Sequence, residues 1–138
     1  PGPVSKPGGA PDWWPAVVDY TAQMQAAYAA WLAGGAERWP GLRIVFAILA
    51  GGGPFQLERL ASRGISGRGL LHENVYFETA SYGPRALDLC LKTYGVGQLC
   101  FGSDAPVIDP QPTLDAVRSF GDAVTDALCN VNPSRLLS

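Results

Sequence analysis

The sequence has one histidine, His72, in 138 residues. Because histidine is the commonest side-chain ligand for zinc, no His-rich metal centre can be built from this chain alone. A Ser-His-Asp triad would have to use His72 or could not form. Basic residues are also few, with 10 Lys and Arg against 12 Asp and Glu and a net charge of −2. This charge argues against nucleic acid or a membrane surface as a partner.

Cysteines and long apolar runs are scarce as well. Cys90, Cys100 and Cys129 form no C-x-x-C pair, which favours buried, reduced thiols and a cytoplasmic location. The longest apolar run, residues 42–50, is interrupted by Arg43 and is too short to cross a bilayer. Apolar residues nevertheless make up 47% of the chain, which predicts a folded domain with a core.

The apolar pattern predicts alternating helices and strands. Residues 1–15 are rich in Pro and Gly and are expected to form a loop. Helices are predicted over 16–33, 54–62, 84–94 and 113–128 and from Pro133, and strands over 43–49, 74–79 and 98–102. A Gly-rich turn is predicted over 62–69. The strands are continuous apolar runs without alternation, so this order is typical of an α/β fold with a parallel sheet.

Candidate functional residues follow the predicted strands, because ligands of parallel α/β folds bind beyond the strands' carboxyl ends. Asp104, after the third strand, is the strongest candidate, since a carboxylate there can bind a metal or act as a general base. It could instead close an Asx turn. His72 precedes the second strand and is expected at the opposite end of the sheet.

The other candidates have simpler structural interpretations. The Gly run that contains Gly52 could approach an anion, or it could only form a tight strand-to-helix turn. Glu78 and Ser103 are weaker pocket candidates beside Asp104. Trp13 and Trp14 could line a pocket or could cover the next helix.

Four segments resemble one known family. They are PGLRIVFAILAGGGPF at 40–55, NVYFETA at 74–80, QLCFGSDAP at 98–106 and NPSRLL at 132–137. The third contains a G-S-D-x-P signature, and the order and spacing are similar to those of the amidohydrolase-related family, which includes aminocarboxymuconate semialdehyde decarboxylase. The resemblance implies that residues 1–138 form the C-terminal part of a (β/α)8 TIM barrel, about strands 6–8 with their helices. The N-terminal part of the domain is then expected outside this chain.

The resemblance also implies roles for single residues. Asp104 would be a ligand or a neighbouring base for a divalent metal, with zinc expected and the other ligands outside this chain. Ile48 stands where the family has a catalytic or metal-contacting histidine. Glu78, Ser103, Gly52, Trp13 and Trp14 would line the substrate pocket.

The resulting hypothesis is a metal-dependent hydrolase or nonoxidative decarboxylase that acts on a small carboxylated or cyclic substrate. Its partner would be that small molecule, not nucleic acid or a membrane, and the protein could form a homo-oligomer. Two alternatives stay open. Ile48 suggests a catalytically silent binding or assembly protein with the same fold, and Gly51–Gly53 suggests a small α/β module that binds an anion.

Overall fold

Three short strands form one parallel sheet. The computed structural model describes residues 6–66 and 71–138. The strands are β1 (Ile44–Phe46), β2 (Val75–Glu78) and β3 (Leu99–Cys100), in the order β1-β2-β3. Both neighbouring pairs are parallel. The predicted α/β fold with a parallel sheet is confirmed.

Helices precede, connect and follow the strands. They are α1 (Tyr20–Ala30), α2 (Ala36–Arg38), α3 (Ile48–Ala61), α4 (Pro84–Tyr94), α5 (Gln111–Arg118), α6 (Asp122–Asp126) and α7 (Asn132–Leu137). Further helical turns cover Pro15–Asp19, Trp31–Gly35, Val96–Gln98 and Ala127–Val131. Within the described ranges, no helix has the length and apolar content needed to cross a membrane.

Several element boundaries differ from the predicted ones. The predicted helix over 113–128 is interrupted at Gly121, where φ is 92°, and α6 begins just after this glycine. The predicted end of the first helix is confirmed, because the backbone of Gly34 is not helical and α2 begins just after this break. The predicted strand over 43–49 ends at Phe46, since the residues from Ile48 onward adopt positive φ. Residues 1–5 of the predicted first loop and 67–69 of the predicted turn lie outside the described ranges.

An aromatic cluster joins the helices to one face of the sheet. Phe77 on β2 stacks on Tyr94 of α4, with ring centroids 3.7 Å apart. Tyr28 of α1 packs edge-on against Phe46 and Phe77, at centroid distances of 5.0 and 5.5 Å. All four rings belong to the hydrophobic core. Aromatic packing therefore holds α1 and α4 against this face of the sheet.

The other face of the sheet carries different residues. The register places Val45 opposite Tyr76 and Glu78 opposite Cys100. Because side chains alternate along a strand, these four point away from the aromatic cluster. Tyr76 and Cys100 are buried but lie outside the core cluster, and Val45 is 38% exposed. The continuous apolar strands predict that both faces of the sheet are covered. Within the described residues, this cover is incomplete at Val45.

A single buried amide fastens the last helix to the sheet. The Nδ2 group of Asn132 donates to the carbonyl oxygens of Val96 and Leu99, both at 2.7 Å. The residue is 1% exposed. The segment NPSRLL is therefore held against the start of β3 by side-chain hydrogen bonds.

Replacing this amide should destabilise the fold. Asn132→Ala removes the donor from two carbonyl oxygens, and we expect the free energy of unfolding to fall by about 2 kcal/mol. Urea denaturation measures this loss. Asn130→Ala is the matched control, because its hydrogen bond to Asp126 is exposed, and it should cost less than about 0.5 kcal/mol. Equal losses in the two variants would contradict the anchoring role of Asn132.

Candidate functional site

The carboxyl ends of the three parallel strands meet at one edge of the sheet. Ile48–Gly53 follow β1, Thr79 and Ala80 follow β2, and Gly102–Asp104 follow β3. The candidates predicted from strand polarity therefore lie at the edge where ligands of parallel α/β folds bind.

The segment after β1 is a left-handed turn. Five consecutive residues, 48–52, have positive φ values between 46° and 90°, and α3 becomes right-handed only afterwards. Three of them, Ile48, Leu49 and Ala50, are not glycine. The left-handed conformation costs an L-residue about 1–2 kcal/mol, so surrounding contacts must hold this turn in place.

Glu78 supplies one of these contacts. Its Oε2 atom accepts a hydrogen bond from the backbone N–H of Ile48 at 3.1 Å, and its Oε1 atom accepts one from the N–H of Ala80. Gly102 lies against the same carboxylate, because a Cβ atom built on it would overlap Oε1. Residues that follow each of the three strands therefore contact the Glu78 carboxylate.

Burial raises the pKa of the Glu78 carboxyl above its ordinary value. The two backbone N–H groups favour the charged form and lower this pKa, while the negative charge of Asp104 raises it further. The net direction is upward, so loss of solvation outweighs the hydrogen bonds.

Thr79 completes the link between the strand ends through contacts that the sequence did not predict. This residue is fully buried. Its N–H donates to the carbonyl oxygen of Cys100 at 3.1 Å, and its Oγ1 accepts from the N–H of Gly102 at 3.2 Å. The available signal was a polar Glu-Thr pair directly after an apolar strand, but no local pattern indicates which backbone groups such a pair will bind.

Asp104 has a different environment from Glu78. It is exposed and has a φ of 49°. Its turn is closed by its backbone oxygen, which accepts from the N–H groups of Val107 and Ile108. Within residues 6–66 and 71–138 its carboxylate has no hydrogen-bond or ion-pair partner, so the Asx-turn alternative is wrong. The hydroxyl of neighbouring Ser103 accepts from the N–H of Ala105 at 3.3 Å.

Among the remaining candidates, Gly52 belongs to the strand-end edge, whereas Trp13 and Trp14 precede α1 and His72 precedes β2. Gly52 is part of the left-handed turn, with a φ of 90°. Trp13 and Trp14 stack on each other at 6.1 Å, and Trp13 is 56% exposed. His72 lies before β2, at the opposite end of the sheet, and its Nδ1 accepts from the N–H of Asn74.

The described residues do not by themselves complete a metal centre. They contain no cluster of three or more His, Cys, Asp or Glu side chains that could hold an ion. Burial raises the pKa of the Cys90 thiol to about 12 and that of Cys100 to about 11, the latter with a further contribution from the Glu78 charge. Cys90 and Cys100 are buried free thiols, as the sequence predicts, whereas Cys129 is free but only half-buried.

Two open cavities lie away from the strand-end edge. One, of about 590 Å³, borders the amino ends of the strands and includes Arg43, His72 and Arg135. The other, of about 680 Å³, lies between α1 and α3. Neither is lined by Glu78 or Asp104.

Residues 6–138 match the sequence profile of the amidohydrolase family. None of the curated proteins compared with the chain matches it. Among solved structures, a putative amidohydrolase from Staphylococcus aureus is similar, with a TM-score of 0.78 and 20% identity over 99% of this chain and 52% of that one.

Two further structures are similar to the chain. IDCase from Metarhizium anisopliae, in its apo form, has a TM-score of 0.77 and 24% identity, over 94% of this chain and 43% of its own. The 5-carboxyvanillate decarboxylase LigW from Sphingomonas paucimobilis has a TM-score of 0.65 and 20% identity, over 80% of this chain and 38% of its own. The chain thus spans about half of these proteins or less, and at these identities the likeness concerns the fold.

The raised pKa of Glu78 predicts how stability depends on pH. Since the folded state holds this proton more tightly than the unfolded state, the stabilising contribution is complete below about pH 4 and is lost as the pH rises through the folded-state pKa. In Glu78→Gln this loss is absent. We therefore expect the unfolding free energy of the original protein to decline relative to the variant as the pH rises from acid to neutral.

Urea denaturation at several pH values between about 3.5 and 7.5, on both sides of the ordinary glutamate pKa, measures this difference. Glu58→Gln on the exposed surface of α3 is the matched control for removal of one carboxylate. A difference between Glu78→Gln and the original protein that is constant with pH would show that the pKa of Glu78 is not raised.

Proposed function

Because the chain belongs to the amidohydrolase family, we propose that it contributes to a metal-dependent active site that hydrolyses or nonoxidatively decarboxylates a small carboxylated or cyclic substrate. The observation that carries this proposal is the carboxylate of Asp104, which is exposed, has no partner among the described residues and lies at the carboxyl ends of the parallel strands. The decarboxylase activity named for one similar structure supports the choice of reaction.

We further propose that the three strands are part of a (β/α)8 barrel, corresponding to about strands 6–8. Within the described residues, β1 and β3 each pair with β2 only, so each has a free edge that another strand can use. Val45 is exposed on the face that would point into the barrel. Such barrels need about 250 residues, which agrees with the greater length of the similar structures.

The charge and accessibility of Asp104 suit a metal ligand. Both oxygens of Glu78 already accept backbone N–H groups, whereas the Asp104 carboxylate has no partner within the described part of the chain and could bind a cation. Carboxylate oxygens bind Zn²⁺ and other divalent metals. Asp104 would hold the ion together with ligands from outside this chain.

The bound cation would supply Lewis-acid polarisation of the substrate. Asp104 would orient the ion and, in its charged form, could accept a proton from a reacting group. Ser103 and Gly52 would border the substrate, and Trp13 and Trp14 would cover the entrance. Glu78 would lie beside them, with its two oxygens bound to backbone N–H groups.

Ile48 favours a second candidate function, a catalytically silent member of the family that binds a ligand or assembles with other proteins. Isoleucine can neither bind a metal nor transfer a proton. The residue lies at the same edge as Asp104, directly after Ala47. A protein with this substitution could retain the fold and lose the reaction.

The first test uses the full-length protein and Asp104. Asp104→Asn removes the charged ligand, and we expect metal affinity to fall by at least about tenfold and turnover of small carboxylated substrates to be lost. Metal content by mass spectrometry and CO₂ release are the measurements. Asp109→Asn is the control, since an Asn oxygen can still accept the Gln111 N–H that Asp109 binds. Unchanged metal content in Asp104→Asn would refute the proposed ligand.

The second test distinguishes the two candidate functions at position 48. Histidine tolerates positive φ better than a β-branched residue, so we expect Ile48→His to be at least as stable as the original protein. We also expect it to raise turnover. Ile48→Asn, which fits the same backbone conformation but is not a comparable acid or base, should not. If neither metal content nor turnover changes in Ile48→His, the silent binding function is favoured.

A further inference from the structure

The left-handed turn over 48–52 is held at both of its ends. At its start, the N–H of Ile48 donates to Glu78. Near its end, the carbonyl oxygen of Gly51 accepts from Nε2 of Gln25 on α1 at 2.6 Å. Between these points Leu49 and Ala50 are buried, at 2% and 0% exposure. The turn is therefore fixed by long-range contacts rather than by the preferences of its own residues.

The two side chains that bind the turn, Gln25 and Glu78, lie on different kinds of element, a helix and a strand. Gln25 is a residue of α1 and connects the turn to a helix. Glu78 is the last residue of β2, and its second oxygen accepts the N–H of Ala80 within its own chain segment. The Glu78 carboxylate therefore has a fixed orientation relative to β2. Its hydrogen bond to the Ile48 N–H fixes the position of that N–H relative to the same strand.

Gly102 shows that the space around this carboxylate is limited. A Cβ atom on Gly102 would overlap Oε1 of Glu78, and Cδ and Cγ of the same side chain lie close by. The N–H of Gly102 is bound by Thr79, so its backbone cannot easily move aside. A larger residue at this position would have to displace the Glu78 carboxylate.

We propose that Glu78 is a positioning residue whose carboxylate, by binding the N–H of Ile48, sets the conformation of the left-handed turn at the strand-end edge. Sequence reasoning assigned Glu78 to the substrate pocket. Both of its oxygens accept backbone hydrogen bonds, which leaves its role directed at the protein's own main chain. The inference does not depend on the proposed metal or reaction, and its test needs neither.

Amide hydrogen exchange in the full chain, followed by NMR, tests the proposal. Selective ¹⁵N labelling of isoleucine is convenient, because the sequence has only Ile44, Ile48, Ile65 and Ile108. In Glu78→Gln the charged acceptor is lost, and exchange at Ile48 should become roughly 10- to 100-fold faster. Ile44 is the internal reference, since its N–H is bound by the Asn74 carbonyl within the same sheet.

The reference separates positioning from general stability. A purely structural loss would accelerate exchange at Ile44 and Ile48 together, whereas the proposal requires Ile48 to change alone or far more. Comparable acceleration at both sites, or none at Ile48, would overturn it.

A second variant leaves Glu78 in the sequence and keeps the proposal testable if Glu78→Gln does not fold. Gly102→Ala should displace the carboxylate and accelerate exchange at Ile48 in the same way. Gly97→Ala is its matched control, because a Cβ there meets nothing within 4 Å, and exchange at Ile48 should remain as in the original protein. Unchanged exchange at Ile48 in Gly102→Ala would also contradict the proposal.

Discussion

The stack of Tyr94 on Phe77 is the interaction on which the other elements depend. It joins α4 to the central strand, and Tyr28 brings α1 against the same ring. A Cβ at Gly53 would lie too close to the Tyr94 hydroxyl, so the absence of a side chain at Gly53 lets the right-handed part of α3 approach this ring. Leu49 and Ala50 of the left-handed turn belong to the same core cluster as these rings, so the aromatic packing also supports the turn at the strand-end edge.

The polar residues at the strand ends lie apart from this aromatic packing. Glu78 points away from the aromatic cluster and is bound by backbone N–H groups, whereas Asp104 is exposed and its carboxylate has no partner in residues 6–66 and 71–138. Two carboxylates at one edge of the sheet therefore have different tasks, set by their environments rather than by their chemistry. The first organises the protein, and the second is available to a ligand.

Much of this arrangement could be predicted from the sequence. The apolar runs predicted three strands, and Pro84 and Gly95 predicted the limits of α4, because these signals are local. Strand polarity alone placed Asp104 and His72 at opposite ends of the sheet. The resemblance of G-S-D-x-P and the neighbouring segments to the amidohydrolase family predicted the family that residues 6–138 match.

The Gly run predicted a tight strand-to-helix turn, but the positive φ of Ile48, Leu49 and Ala50 could not be predicted in this way. Isoleucine, leucine and alanine give no local signal for positive φ, and the contacts that impose it come from Glu78, 30 residues away along the chain, and from Gln25. The break at Gly121 was missed for a related reason, since the apolar spacing continues across it. In both places the spacing of apolar side chains does not indicate the backbone conformation.

The contact between Glu78 and position 48 is made to the main chain. Every amino acid except proline carries that N–H group, so the side chain at position 48 can be exchanged while the scaffold around it is retained. An evolutionary path between a histidine and an isoleucine at this position would therefore not need compensating changes in Glu78. The same fold can in this way gain or lose a functional group by a change at one residue.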